Sequence, residues 1–341
     1  MQKKETYTDL DRLTARVLTL HYLENLSQVE IAKRLGLSTV KINRLIKSAR
    51  KSGLVEINLK LPFPSLSELE SRILAMSDLE DIIISPSIGN TQNQDLAQLA
   101  QVAGSSIVNM IRANDMICVG GGRTILEIIN FIDKQIIPGV RIVPAIGGVQ
   151  NLNDGDVNSI ATRLANKLGG ESINFYAPAF AETETECEMF FKLTHINKVL
   201  EQAKSARIGL FGVGNLQIDS SIIQYCSLPY NILEDLVRKR GAIGEILIYA
   251  IDDQGKECIP ELNKRVVGIS LDDFRRIPVR IGAAIGSVKA PAIAAAIWGN
   301  FFTHLFIDEN AAKDVITILE KRKFDQSSKS FRLRTRPQVG S

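Results

Sequence analysis

LSQVEIAKRLGLSTVKINRLIKSARKSG, residues 26–53, reads as two short helices joined by a tight turn. Ser27 and Glu30 have the S-x-x-E spacing of a capping box, in which each side chain satisfies the other's backbone N–H at a helix start. Val29, Ile31, Ala32 and Leu35 give the first helix its buried side. Gly36 supplies the positive-φ residue that the turn requires, Leu37 fills the elbow, and Ser38 caps the second helix. On that second helix Val40, Ile42, Leu45, Ile46 and Ala49 are the apolar positions available for packing. Lys41, Arg44, Lys47, Arg50 and Lys51 are basic, and no acid falls between Ser38 and Gly53. A solvated basic helix in an ordinary helical domain would share the charge, but the capped pair, the glycine elbow and the acid-free second helix occur here together. The stretch is therefore read as a helix-turn-helix whose second helix enters the major groove of DNA. Thr39, Lys41, Asn43 and Arg44 crowd its first turns, where side chains reach base edges. Lys47 and Arg50 are assigned to phosphates, and Gln28 and Ser38, at the two helix starts, complete the DNA-binding set.

Charge agrees with this reading. Residues 1–61 carry 12 Lys/Arg against 6 Asp/Glu, whereas the rest of the chain carries 29 against 32, so a net charge of +3 conceals a basic amino-terminal segment on a mildly acidic body. That asymmetry suits a reader of polyanions. At 341 residues, 45% hydrophobic and 23% charged, the chain is expected to form at least two soluble globular domains. It contains no run of 18 apolar residues, and the opening MQKKETYTDLDR is not read as a signal peptide. No membrane association and a cytoplasmic location are expected. Cys118, Cys187, Cys226 and Cys258 lack C-x-x-C spacing and read as free thiols. His21, His195 and His304 lie far apart, so no metal site or cofactor is expected.

Working outward, Asp9 or Asp11 starts a helix to about Glu24 that completes a three-helix core. Val55–Leu61 alternates apolar and polar residues and reads as a strand, a wing on the small domain or its exit. Pro62-Phe63-Pro64 then places a domain boundary, so residues 1–61 form the helix-turn-helix domain. Residues 62–80 hold a linker helix, Ser65–Met76, capped by the pairs Ser65 with Glu68 and Ser67 with Glu70. From residue 81 to 324 strands and helices alternate. Strands are expected at Ile82–Ser85, Met116–Val119, Val140–Ala145, Ile173–Tyr176, Arg207–Gly212, Ile246–Ile251, Val279–Ala284 and Leu305–Ile307. Helices are expected at Asp95–Ile111, Thr124–Phe131, Asp156–Leu168, Glu186–Ala203, Ile232–Lys239, Ala290–Trp298 and Ala311–Lys321. This is the pattern of an α/β domain with a mostly parallel, Rossmann-like sheet covered on both faces. Asp252–Gly255 is a turn signal for a local hairpin. The basic tail, residues 325–341, reads as disordered, with a second weak nucleic-acid contact as the alternative.

Ligands of parallel α/β sheets collect beyond the carboxyl ends of the strands. Gly120-Gly121-Gly122-Arg123-Thr124 follows one such strand and opens a helix. Its glycines let backbone N–H groups approach an anion, and Arg123 and Thr124 add donors; the alternative is a turn that serves geometry only. The loop fits neither the P-loop nor the dinucleotide pattern. Gly147-Gly148 follows another strand, with Asn158 and Arg163 on the next helix. Ile285-Gly286-Ser287-Val288-Lys289 is the third loop, and Lys289 either neutralises a phosphate or is an ordinary surface lysine. Glu245 enters a strand among apolar neighbours, where it accepts hydrogen bonds from sugar hydroxyls or pairs with a nearby base. Leu247 is placed with it in the effector site.

At these residues the chain resembles the SorC family of bacterial sugar-responsive transcription regulators. The pieces that carry the likeness are LSQVEIAKRLGLSTVKINRLIKSARKSGLVEI, GGGRT, GGESINFYAPA, RKRGAIGEIL with DDQGK after it, AAIGSVKAPAIAAAI and THLFIDENAA, spanning about Leu13 to Leu319. The resemblance implies an effector domain related to sugar-phosphate isomerases, and a homo-oligomer, dimer or tetramer, on pseudo-palindromic operators. It also implies that Gly121, Gly122, Arg123, Thr124 and Lys289 hold a phosphate or its equivalent, while Glu245 contacts the sugar-like part. Two departures stand out: Gly120-Gly121 replaces a common Ser-Trp pair, removing bulk from one pocket wall, and Glu245 replaces a common Asp. The expected function is regulation of a carbohydrate catabolic operon by a sugar, polyol or sugar phosphate, without catalysis. The alternative is a sugar-phosphate isomerase or deaminase with a helical appendage, which would need an acid/base pair near the glycine loops.

Overall fold

Two hydrophobic clusters organise the chain, one in each of two compact units, Met1–Pro62 and Phe63–Ser341. The computed structural model describes residues 9–55, 64–88, 91–149, 155–216 and 230–334.

In the first unit α1 (Asp9–Leu18) continues into one π-helical turn (Thr19–Leu23), followed by α2 (Gln28–Leu35) and α3 (Thr39–Lys51). The capping box is present in both directions: Ser27 N–H donates to Glu30 Oε2 at 2.8 Å, and Glu30 N–H to Ser27 Oγ at 3.3 Å. Hydrogen bonding from the Ser27 side chain, and then from its backbone N–H, holds the Glu30 carboxyl below its usual range. Gly36 ends α2 at φ 65°, the left-handed cap expected of it. The core joins Val17, Leu20, Ile31, Ala32, Ile42 and Ile46. Val29 and Val40, expected among the packing positions, are instead 67% and 79% exposed. On α3 the buried arc is Ile42, Ile46 and Ala49, and a residue two positions before Ile42 falls about 200° around the helix from it. The alternating stretch expected as a wing lies outside the described residues from Glu56 onward.

In the second unit α4 (Pro64–Leu74) is part of the core through Leu66, Leu69 and Ile73. Its expected caps do not form, because Pro64 already stands in the helix and Glu70 accepts from Ile84 N–H at 2.9 Å. The remaining elements are β1 (Asp81–Ser85), α5 (Gln92–Met110), β2 (Met116–Val119), α6 (Arg123–Phe131), β3 (Arg141–Pro144), α7 (Val157–Leu168) and β4 (Glu171–Ser172). Next come α8 (Glu184–Lys192), α9 (Thr194–Lys204), β5 (Ile208–Gly212), α10 (Tyr230–Arg240), β6 (Gly244–Ile246) and β7 (Tyr249–Ile251). The chain ends with α11 (Pro260–Asn263), α12 (Leu271–Arg276), β8 (Val279–Ala284), α13 (Ala290–Trp298), β9 (His304–Asp308) and α14 (Glu309–Arg334). Seven strands form one sheet in the order β1-β9-β8-β5-β2-β3-β4, and every pairing in it is parallel. β2 is buried at all four positions, as a doubly covered strand must be.

Four expectations need correction. The run 246–251 is not one strand: Leu247 and Ile248 turn it into the antiparallel β6–β7 hairpin. The run 173–176 leaves the sheet after Ser172, because Phe175 N–H donates to Asn158 Oδ1 at 2.7 Å instead of to a strand. The single helix expected over 186–203 is broken at extended Leu193, so that Cys187 before it and Ile196, Leu200 and Ala203 after it all reach the interior. The last helix runs to Arg334, past the start of the tail read as disordered; no Gly or Pro interrupts it from Glu309 onward.

Asp115, just before β2, is buried and accepts from Arg207 Nε at 2.6 Å, Arg207 Nη2 at 2.5 Å and Arg112 N–H at 2.7 Å. Burial pushes its carboxyl upward, but these hydrogen bonds and the arginine charges outweigh burial and hold it below the usual range. A depressed folded pKa contributes stability that is present above the unfolded carboxylate pKa and is lost as pH falls through the folded one. Asp115→Ala is expected to lose about 3 kcal/mol at neutral pH, the low end for a broken buried pair because Arg207 keeps some solvent contact. Denaturant melts down the pH scale check it: the gap to wild type should close below the carboxylate range.

Candidate effector cavity and DNA-reading helix

β8, β5 and β2 are consecutive neighbours in the sheet, so the loops leaving their carboxyl ends lie side by side. They enclose a cavity of about 410 Å³, within the usual size for a small-molecule site. From β2 come Gly120, Gly121, Gly122, Arg123 and Thr124, and from β8 come Val288 and Lys289. The β6–β7 hairpin adds Glu245, Leu247 and Ile248.

The anion side is built from α6. Gly122 precedes it at φ 111°, a conformation that disfavours any Cβ, and its N–H donates to Gly155 O at 3.2 Å. Arg123 follows, with Nη2 2.5 Å from Asn93 Oδ1 on the first turn of α5. Half-buried Lys289 closes a 3₁₀ turn, Ser287–Lys289, before α13. Two cationic side chains and the amino end of α6 thus face one space, a combination that suits an anion.

The opposite wall is held by close backbone approaches. Glu245 is 4% exposed, and its chain pairs with Gly214 in both directions at 3.1 and 3.0 Å. The glutamate side chain lies over Gly214 so closely that a Cβ there would come 2.2 Å from Oε1. Gly244 meets α13 equally tightly, since its Cβ would lie 2.4 Å from that of Ala292. The hairpin bearing Glu245 is therefore seated against the helix that follows Lys289. At Gly120, Phe211 and Leu247 crowd the space a side chain would take, whereas at Gly121 the nearest neighbour is the Gly155 carbonyl.

Gly148 and Asn158 do not line this cavity. They meet one another, and Asn158 uses both ends of its amide on the backbone of Phe175, bracing the segment after β4. Gln92, Asn93, Gly214, Asn215 and Ile248 line it without having been expected. The Gly212–Asn215 loop follows a strand as the other glycine loops do, and that position could have revealed it. Cys118 is fully buried beneath the site, and burial pushes its thiol far above the ordinary value, so it stays protonated. His304 begins β9 at the other edge of the sheet, bonded to Thr303. Among the described residues no histidine lines the cavity, and no cluster of three or more metal-ligating side chains occurs.

On α3, Thr39, Lys41, Arg44, Lys47 and Arg50 are exposed, while Asn43 is half-buried, like Gln28 at the start of α2. Ser38 is occupied as a cap, its Oγ accepting from Lys41 N–H at 3.2 Å. Arg50 Nε donates to Tyr22 OH at 2.7 Å, which fixes the guanidinium beside α3.

A three-helix unit with a basic, exposed second helix of its turn motif, joined to an α/β unit with a cavity at its sheet edge, defines a DNA-binding regulator that responds to a small ligand. Comparison with known proteins gives the family. Residues 62–317 match the family model described as "Putative sugar-binding domain", to which the chain belongs, and residues 9–52 match "Sigma-70, region 4". Together these make it a sugar-responsive transcription regulator of the SorC type. It is similar to the transcriptional regulator LsrR of Escherichia coli K12, 27% identical over 89% of this chain and 93% of the relative. It is also similar to the deoxyribonucleoside regulator of Bacillus subtilis, 26% identical over 90% and 98%. In fold it matches the full-length sorbitol operon regulator SorC of Klebsiella pneumoniae, with a TM-score of 0.68 at 22% identity over 91% and 99% of the two chains. These relatives are regulators and not enzymes, which sets the isomerase alternative aside. Among the described residues no helix is long and apolar enough to cross a membrane.

Gly214→Ala is expected to push Glu245 off its seat while leaving the anion side in place. Crystallography or NMR of the variant should show the displaced carboxylate, and titration with a sugar phosphate should show affinity reduced about tenfold or more, the scale of one lost hydrogen bond to a charged group.

Proposed function

We propose that the cavity binds a phosphorylated sugar or polyol, and that its occupancy sets the affinity of α3 for an operator of a carbohydrate catabolic operon. One observation carries this reading: Arg123, Lys289 and the amino end of α6 converge on one space whose far wall presents Glu245. The first group suits a phosphate and the second suits hydroxyl groups. The names of the relatives, one a deoxyribonucleoside regulator and one a sorbitol operon regulator, support an effector from the same broad chemistry.

On the DNA side, Lys47 and Arg50 meet phosphates, while Thr39, Lys41, Asn43 and Arg44 reach base edges and Gln28 contacts the backbone from α2. Val40, exposed on the same end of α3, is available to thymine methyl groups. One recognition helix reads few base pairs, so a homo-oligomer on a pseudo-palindromic operator follows from the need for paired half-sites. A regulator of this kind works in the cytoplasm.

Lys289→Ala is expected to abolish the response to a phosphorylated effector and leave operator binding by the ligand-free protein nearly intact. The ligand shifts operator affinity only through unequal affinity for two states, so deleting its anchor removes the shift without touching α3. Fluorescence anisotropy of labelled operator titrated with sugar phosphates measures this; an unchanged response in the variant would sink the anion site. On α3, Asn43→Ala should relax operator preference by ~1–3 kcal/mol at the base it contacts. Lys47→Ala should instead weaken all sequences alike and lower the salt slope by about one. Competition binding at several salt concentrations separates the two.

A further inference from the structure

Leu247 and Ile248 hold a backbone conformation that their side chains resist. They reverse the chain between β6 and β7 at φ 49° and 60°, a turn with two positive φ values that ordinarily takes Asn-Gly or a similar pair. A β-branched residue there is a true outlier. A turn that only reversed the chain would lie in solvent and use such residues. The next turn of this chain does so: Asp252–Gly255 exposes Asp253 and Gln254 and places Gly255 at φ 72°. Leu247 and Ile248, by contrast, are 7% and 4% exposed and both line the cavity beside Glu245. On one side the turn is fitted to the anion loop, since a Cβ at Gly120 would lie 3.2 Å from Leu247 Cδ2. Strain of this kind persists where the surroundings over-determine it, commonly at ligand-contacting sites.

We propose that Ile248, presented by this strained turn, is a specificity-determining residue that limits the size of the ligand beyond its anionic group. The inference rests on the reading of the cavity as a sugar-phosphate site and deepens it. The anion side fixes one end of the ligand, and the branched side chain occupies the space into which a longer carbon chain would extend. A hydroxyl pressed against Leu247 or Ile248 finds no partner on either side chain, so added length is penalised sterically and by desolvation.

The test uses full-length protein and calorimetric titration with inorganic phosphate, glycerol 3-phosphate, ribose 5-phosphate and glucose 6-phosphate. Each ester's affinity is read relative to that of inorganic phosphate, so a general loss of binding cancels. Ile248→Ala is expected to move the order toward the longest ester by about tenfold or more, the scale of a few methylene-sized contacts. Ile248→Val, which keeps the branch, should retain the wild-type order. Gly120→Ala, which presses a carbon on Leu247 and Phe211, should also disturb the order. Identical ratios in wild type, Ile248→Ala and Gly120→Ala would overturn the proposal while leaving the anion site standing. Wild-type protein that binds neither phosphate nor any ester would overturn the anion site, and this inference with it.

Discussion

A sheet covered on both faces leaves its backbone no partner but the neighbouring strand. In β2, β5 and β8 every position is enclosed or nearly so, and each N–H and C=O must be satisfied in the ladder. Because all the pairings are parallel, the ladders end together at one edge, and only there do backbone groups become available to a ligand. Residues far apart in the chain, such as Arg123 and Lys289, therefore share one cavity, which the β6–β7 hairpin completes with Glu245. The site follows from the burial of the sheet; its chemistry follows from what each strand carries at its end.

That origin explains which parts were legible in the sequence. Met116–Val119 and Val279–Ala284 have the bounds expected of them, because burial on both faces writes a largely apolar run, broken only by Arg280 in the second, bounded by turn residues. The run 246–251 is just as apolar and is nevertheless a hairpin. No Gly or Asn announces its turn, since the conformation at Leu247 and Ile248 is imposed by packing and not by local preference. The run 173–176 failed for a related reason: a side chain from α7, Asn158, takes the backbone of Phe175, and nothing local foretells a partner so far away in sequence. The place of Gly120–Thr124 could be read because a glycine run after a strand marks a strand-to-helix turn in sequence and in space. Gln92 and Asn93 could not, because polar residues opening a helix read first as caps.

The helix-turn-helix was more transparent because its signals are local. The capping box and the glycine elbow each involve residues within four positions of one another, and both stand as expected. What local pattern could not supply was how small the core is. Ile42, Ile46 and Ala49 fill the inner arc of α3, which leaves Val40 outside among polar and basic neighbours. An apolar residue on an otherwise basic surface is wasted on phosphates but matches the one apolar group that the major groove displays.

Glycine acts in two opposite ways in this chain. At Gly36 and Gly122 it supplies a backbone angle, whereas at Gly214 and Gly244 it supplies absence, letting Glu245 and α13 close onto the chain. A carboxylate in that position must be fixed in place if it is to discriminate among hydroxyl patterns, because a mobile one would adapt to each ligand and report on none. Contact with Gly214 on one side and the seating of Gly244 on Ala292 on the other remove that freedom. The same seating carries Leu247 and Ile248 into the cavity, so the strain of the turn and the placement of Glu245 are two results of one packing arrangement. Such an arrangement gives a ligand a rigid reference against which to prefer one state of the protein, and without that preference binding could not alter affinity for DNA.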